Sequence, residues 1–214
     1  MSCQIARLVP QGRVIGIDAD PDLLAQARAT ATQQGLEHIE TIQAWAHDID
    51  LPDNSIDFCY GRFLLQHVPD PGAIASEMRR ITRPGGMIML LDTDDGALIV
   101  HPKPEGLDTL LAASQRSQAA MGGDRHIGRK LRQVCVEAGL EEVDLRLVPF
   151  TSDMVGMHVF VDIALGYKRQ IIDPADMGTE EIQDVINRLL LLATDPRAFA
   201  HTMAYVATAR SPLS

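Results

Sequence analysis

The chain has 214 residues, enough for one domain with a full core and too few for two ordinary ones. Hydrophobic residues make up 46% and charged residues 22%, the balance of a globular protein. A formal net charge of −10 speaks against a nucleic-acid partner, because counterion release needs clustered Lys and Arg.

Three cysteines, Cys3, Cys59 and Cys135, are odd in number and far apart, so they make neither a metal pattern nor a disulfide framework, and a reducing cytoplasm is the expected compartment. Met1 to Arg7 holds no apolar stretch of signal-peptide length. The longest apolar runs, Met87–Leu91 and Leu189–Ala193, fall far short of the ~20 residues that span a bilayer, so no membrane partner is expected.

In chain order, Ser2 to Leu8 reads as the end of a helix, and Arg13 to Asp18 as a strand buried on both faces. Asp20-Pro21 starts a helix that Gly35 ends. His38 to Ala44 and Ile56 to Tyr60 read as strands. Asp70-Pro71 starts a second helix with Ile74, Met78 and Ile81 on its apolar face, and Pro84-Gly85-Gly86 turns the chain into the strand Met87 to Leu91. Arg79, Arg80 and Arg83 crowd the last turn of that helix, where cations oppose the negative end of its dipole. Further on, Glu105 to Ala120 and Gly128 to Ala138 read as helices, and Glu142 to Phe150 alternates like a sheet-edge strand. Asp153 to Ile172 reads as one helix and Thr179 to Ala193 as an amphipathic one, before a last strand from Met203 to Ala209. The β-α-β alternation predicts an α/β protein with a doubly wound, mostly parallel sheet. It forms a single domain over 1–214, with a helical insertion at 151–201 before the last strand.

The motif order is sharper than the pattern. The strand ending in Asp18 is followed by Leu51-Pro52-Asp53-Asn54-Ser55-Ile56-Asp57-Phe58. Then come Phe63-Leu64-Leu65-Gln66-His67-Val68-Pro69-Asp70-Pro71 and Arg83-Pro84-Gly85-Gly86. This succession resembles the class I S-adenosylmethionine-dependent methyltransferases, the small-molecule branch in particular, closely from Arg13 to about Asp95 and loosely beyond. The resemblance implies a Rossmann-like fold, S-adenosylmethionine as cofactor and a small-molecule acceptor. It implies that Asp18 accepts the hydroxyls of the adenosine ribose, a role suited to two carboxylate oxygens at a strand end. Ala19 would then lie by the adenine. Relatives often carry an Asp in the loop after the third strand. Trp45 stands at that place, followed by Ala46, and an indole can stack on adenine but cannot accept from its amino group. A core or hinge aromatic is the other reading of Trp45, and Asp48 is a substitute acceptor. Arg62 and Phe63 follow the strand that passes beneath the methionine part. His67 and His126 are the candidate bases, each with a packing or loop role as the alternative. Arg125 is a further acceptor-facing candidate, and Met154, Met157, Met177, Phe160 and Tyr167 are candidate linings of an apolar pocket.

The Gly-rich loop of such a fold lies about 20 residues before the acidic residue. Only 17 residues precede Asp18, with Gly12 and Gly16 as their glycines. The first strand and its glycine turn are therefore expected to be missing, leaving a gap or two exposed edges between the strands ending at Asp18 and Tyr60. An upstream start, an inactive fragment and a homodimer that fills the gap all remain open. The expected activity is methyl transfer to a small molecule, impaired by the missing loop. The rivals are a non-catalytic scaffold acting through dimerisation or protein binding, and a nicotinamide-dependent oxidoreductase, against which the later landmarks argue.

Overall fold

The computed structural model of the chain describes residues 2–213. Its first unit is α1 (Ser2–Leu8), β1 (Val14–Asp18), α2 (Pro21–Gln33) and β2 (Ile39–Gln43). β1 and β2 pair in parallel from Val14↔Ile39 to Asp18↔Gln43. The helix between them starts where the sequence says it should. Asp20 Oδ1 accepts from the N–H groups of Asp22 and Leu23, with Pro21 in the first turn, and Gly35 leaves the helix at φ +66°.

The second unit opens with β3 (Ile56–Arg62), a short turn of helix at Leu65–His67, α3 (Pro71–Ile81), β4 (Thr82–Thr93), β5 (Ile99–His101) and α4 (Leu107–Ala120). α5 (Leu131–Glu137), β6 (Glu141–Thr151), α6 (Ser152–Val155), α7 (Met157–Ile171), α8 (Thr179–Leu191) and β7 (Phe199–Arg210) complete it. β3 lies parallel to β4, and β7 runs antiparallel to β4, β5 and β6, so the five-stranded sheet is mixed. The architecture is a Rossmann-like α/β fold.

Among the described residues no hydrogen-bonded ladder joins β1–β2 to the five-stranded sheet. The division falls between β1 and β3, at the gap expected from the motif order. All five residues of β1 are only half-buried, although the sequence Val-Ile-Gly-Ile-Asp is that of an interior strand.

Two apolar cores stabilise the second unit. Ile74, Met78, Ile88, Leu90 and Leu131 pack α3 and α5 against the sheet. Leu110, Phe160, Val161, Ile186 and Leu189 join α4, α7 and α8 into a helical cap, with Phe150 stacked on Phe160 at 5.6 Å. The single helix expected over 153–172 is broken at Gly156, whose φ of +84° suits glycine and separates α6 from α7. Met157, Met177 and Phe160 belong to the cap core, the plainer of the two readings of these methionines, and Met154 is exposed. α3 stops at Ile81, ahead of Pro84. The side chain of Thr82 bonds back to Met78 O at 2.6 Å, and Thr82 itself already pairs with Ile56. Gly86 is required there: a Cβ would meet Arg83 O at 2.8 Å and Asp57 O at 3.0 Å. No helix among the described residues is long and apolar enough to cross a membrane.

Candidate functional site

At the carboxyl ends of β1 and β2 the chain forms two adjoining loops. Asp18 Oδ1 accepts from Asp20 N–H at 2.9 Å, and Asp18 O accepts from Ala44 N–H at 3.1 Å. Gln43 Nε2 donates to Ala19 O at 3.2 Å, which ties the first loop to the second. Asp18 and Ala19 therefore sit beside the segment that carries Trp45 and Ala46. Trp45 forms an isolated bridge with Asp48, and the residue is 68% exposed. Of the core-or-hinge reading of Trp45 the core half is thereby overturned: an indole this open contributes little to packing, and its ring lies 6.4 Å from that of His47.

Arg80 holds that second loop in place. It donates to Ile49 O at 2.8 Å and Leu51 O at 2.9 Å while pairing with Glu77 and Asp53. Glu77 also accepts from Ile49 N–H at 2.8 Å. The arginine at the end of α3 thus does more than oppose a helix dipole. Arg83 likewise pairs with Asp57 at 2.5 Å.

Arg62 and Phe63 lie elsewhere: Arg62 ends β3 in the other sheet and Phe63 follows it. The Arg62 guanidinium sits 4.5 Å from the centre of the Phe63 ring. Phe63 has φ +50°, a left-handed backbone that costs a bulky residue about 1–3 kcal/mol. Its N–H donates to Leu91 O at 2.8 Å. The six residues expected at the cofactor therefore fall into two groups on the two sides of the divided sheet. Ala46 alone packs against the core beneath β3 and β4.

The carboxyl end of β4 carries three buried carboxylates, Asp92, Asp94 and Asp95. Asp92 accepts from Gln66 N–H at 3.2 Å and Thr93 N–H at 3.1 Å, and burial pushes its carboxyl up to about 6. Asp94 takes Arg129 Nε at 2.5 Å and Nη2 at 2.6 Å, Gly96 N–H at 2.8 Å and His126 Nδ1 at 3.2 Å. Burial pushes this carboxyl up, but Arg129, His126 and the backbone donors together outweigh it and hold it at about 2. Asp95 is shared by Arg125 and Lys168, and burial brings the Lys168 ammonium down to about 8.

His67 is half-buried beside this cluster, its ring edge-on to Tyr167 at 4.7 Å. Burial, and then the charge of Arg125, hold its imidazole below the ordinary range. The two candidate histidines thus differ. His126 is engaged by Asp94, whereas His67 packs against a ring and keeps its basic nitrogen. Arg125 is buried and fully engaged by Asp95 and Gln66. The sequence analysis quoted Gln66 beside His67 but did not single out Asp92, Asp94, Asp95 or Lys168. The one signal for them was the run Asp92-Thr93-Asp94-Asp95 directly after a buried apolar strand.

Comparison with known proteins defines the class. A family model described as a methyltransferase domain matches residues 1–90. The demethylmenaquinone methyltransferase of Geobacillus kaustophilus is 30% identical over 175 residues, covering 75% of this chain and 70% of that protein. A Bacillus halodurans protein of known structure superposes with a TM-score of 0.64 at 18% identity, over 99% of this chain and 89% of that one. A phosphoethanolamine N-methyltransferase of Haemonchus contortus, solved with phosphomonomethylethanolamine and S-adenosylhomocysteine, does so with a TM-score of 0.56 at 15% identity, over 97% of this chain and 46% of that one. The two structures carry the fold, and the Geobacillus relative carries the family. The chain belongs to the class I S-adenosylmethionine-dependent methyltransferases. S-adenosylmethionine is its cofactor.

Proposed function

We propose that this chain transfers the methyl group of S-adenosylmethionine to a small-molecule acceptor presented beside His67. The observation that carries the reading is the half-buried imidazole at the carboxyl end of β3, held below its usual pKa between Tyr167 and the Arg125 charge. Two relatives named for small molecules, demethylmenaquinone and phosphoethanolamine, support it, as does the net charge of −10.

The donor set at the ends of β1 and β2 suits adenosine. One oxygen of Asp18 already takes Asp20 N–H, and the carboxylate keeps lone pairs for a ribose diol. Trp45 offers an open face to the base, and Ala19 and Ala46 leave room beside it. Arg62 and Phe63 would flank the methionine part. When bound, S-adenosylmethionine supplies a methyl group on a positively charged sulfur, an electrophile that needs an aligned, desolvated nucleophile more than a strong base. His67, neutral at pH 7, is suited to take the proton that an O–H or N–H acceptor gives up. No glycine-rich turn lies between Ser2 and β1, so we propose that cofactor affinity in this chain is impaired. A cytoplasmic setting fits the three free cysteines.

The divided sheet favours a second reading, a methyltransferase-like scaffold that acts through dimerisation or protein binding. Incubation with methyl-tritiated cofactor and a fractionated cell extract separates the two. Label in the small-molecule fraction, dependent on His67, supports transfer. Label confined to macromolecules refutes the small-molecule acceptor, and no label beside a concentration-dependent dimer favours the scaffold.

A further inference from the structure

Side chains from three further segments meet around one carboxylate. Asp95 follows β4, and its side chain is 1% exposed. It accepts from Arg125 Nε at 3.2 Å and Nη2 at 3.0 Å, and pairs with Lys168 Nζ at 3.1 Å. Arg125 turns its remaining branch, Nη1, onto Gln66 Oε1 at 2.5 Å. The backbone repeats the connection: Asp95 N–H donates to Arg125 O at 2.9 Å and Asp124 N–H to Gln66 O at 3.0 Å. On one side, therefore, Asp95 is joined to the residue before His67. On the other it is joined to the residue after Tyr167.

Lys168 is held twice, since Nζ also donates to Ala164 O at 2.5 Å. The bond to Ala164 lies within α7 and holds the side chain against its own helix, so the ion pair to Asp95 is the contact that sets the rotation of α7 about its axis. Tyr167, one position earlier and about 100° round the helix, is then fixed as well. Burying three ionised groups is an expensive way to gain stability, and apolar residues of the same volume often serve as well or better. What such a cluster supplies is a set direction for each member. Here the members flank the two rings that meet at 4.7 Å with their planes 82° apart.

We propose that Asp95 is a positioning residue of the acceptor end: through Arg125 and Gln66 on one side, and Lys168 on the other, it sets the spacing and angle of the His67 and Tyr167 rings. The proposal rests on the reading of the His67 region as the place where the acceptor docks. It gives the helical cap a task beyond covering the sheet, because α7 is registered against the catalytic edge by a single carboxylate.

The test reads the ring pair directly. The His67 ring-proton signals are followed by NMR, assigned with His67→Gln, and Tyr167→Leu gives the displacement produced by loss of the contact. Lys168→Met keeps the length of the side chain and removes its charge. It should move the His67 signal in the direction of Tyr167→Leu while leaving those of His38 and His47 in place, and Lys168→Arg should restore the signal. Asp95→Asn should move the same signal in the same direction. The proposal is overturned if Lys168→Met lowers the melting temperature yet leaves the His67 signal at its wild-type position, and Lys168→Met decides if Asp95→Asn does not fold. The readout needs no acceptor. Methyl transfer that is indifferent to His67→Ala would therefore remove the docking reading and leave the spacing result standing.

Discussion

Asp94→Asn tests how the end of β4 is built. The Asp94 side chain is fully buried and accepts from Arg129 Nε and Nη2, Arg129 N–H, Gly96 N–H and His126 Nδ1. Burial alone would raise its pKa, and the donors together bring it from 3.8 to about 2. A folded value below the unfolded one stabilises the protein at every pH above the unfolded value, and this contribution fades as pH falls through the folded value. At 1.36 kcal/mol per unit, the difference between 3.8 and about 2 is worth about 2 kcal/mol. Arg129 is half exposed, so water screens part of its pull and that figure is a ceiling. The melting temperature at pH 7 should drop by about 4–8 °C in a domain of this size. Urea unfolding of both proteins from pH 7 down to pH 2 is the assay. The gap should be up to about 2 kcal/mol near neutrality and close between about pH 5 and pH 2. A gap equally wide at pH 2, or none at pH 7, would refute the reasoning.

Trp45→Ala should weaken binding of S-adenosylhomocysteine about 10-fold, since a base stacked on an aromatic ring is worth about 1–3 kcal/mol. Trp45 is the sole tryptophan, so ligand addition should also shift its exposed-type fluorescence to the blue in a simple titration. His67→Ala should slow methyl transfer about 100-fold while leaving cofactor affinity unchanged. In the wild type the rate should rise with pH to a plateau, with the midpoint of the rise below the ordinary imidazole value of about 6.5, because burial and Arg125 favour the neutral ring. Gly128→Ala places a Cβ 2.8 Å from Thr93 O and 2.8 Å from the Tyr205 ring, and should cost about 1–3 kcal/mol in thermal unfolding.

The βαβ half of the chain was legible because its signals are local. Asp20-Pro21 and Asp70-Pro71 cap the helices they announced; outside that half, the apolar spacing of Ile182, Val185, Ile186 and Leu189 in the helical cap likewise marks α8 as built. Gly156 was not legible, since a lone glycine in an apolar run does not reveal its φ. Nor was the backbone of Phe63. The acceptor end was hidden for another reason. Asp94 meets Arg129 across 35 residues and Asp95 meets Arg125 across 30, and in a linear sequence such charges read as solvated surface. Lys168 and Arg80 were obscured by their position, because a cation in the last turn of a helix already has a sufficient local explanation.

In the proposed function the ends of β1 and β2 hold the adenosine of S-adenosylmethionine. Calorimetric titration of S-adenosylhomocysteine into the 214-residue chain and into Asp18→Ala tests it most directly. Two charge-assisted hydrogen bonds accepted by a half-exposed carboxylate are worth about 3 kcal/mol, or about 100-fold in affinity. The account predicts saturable one-to-one binding that Asp18→Ala weakens by about that factor. Absence of binding to the wild-type chain, or binding indifferent to Asp18, would contradict it.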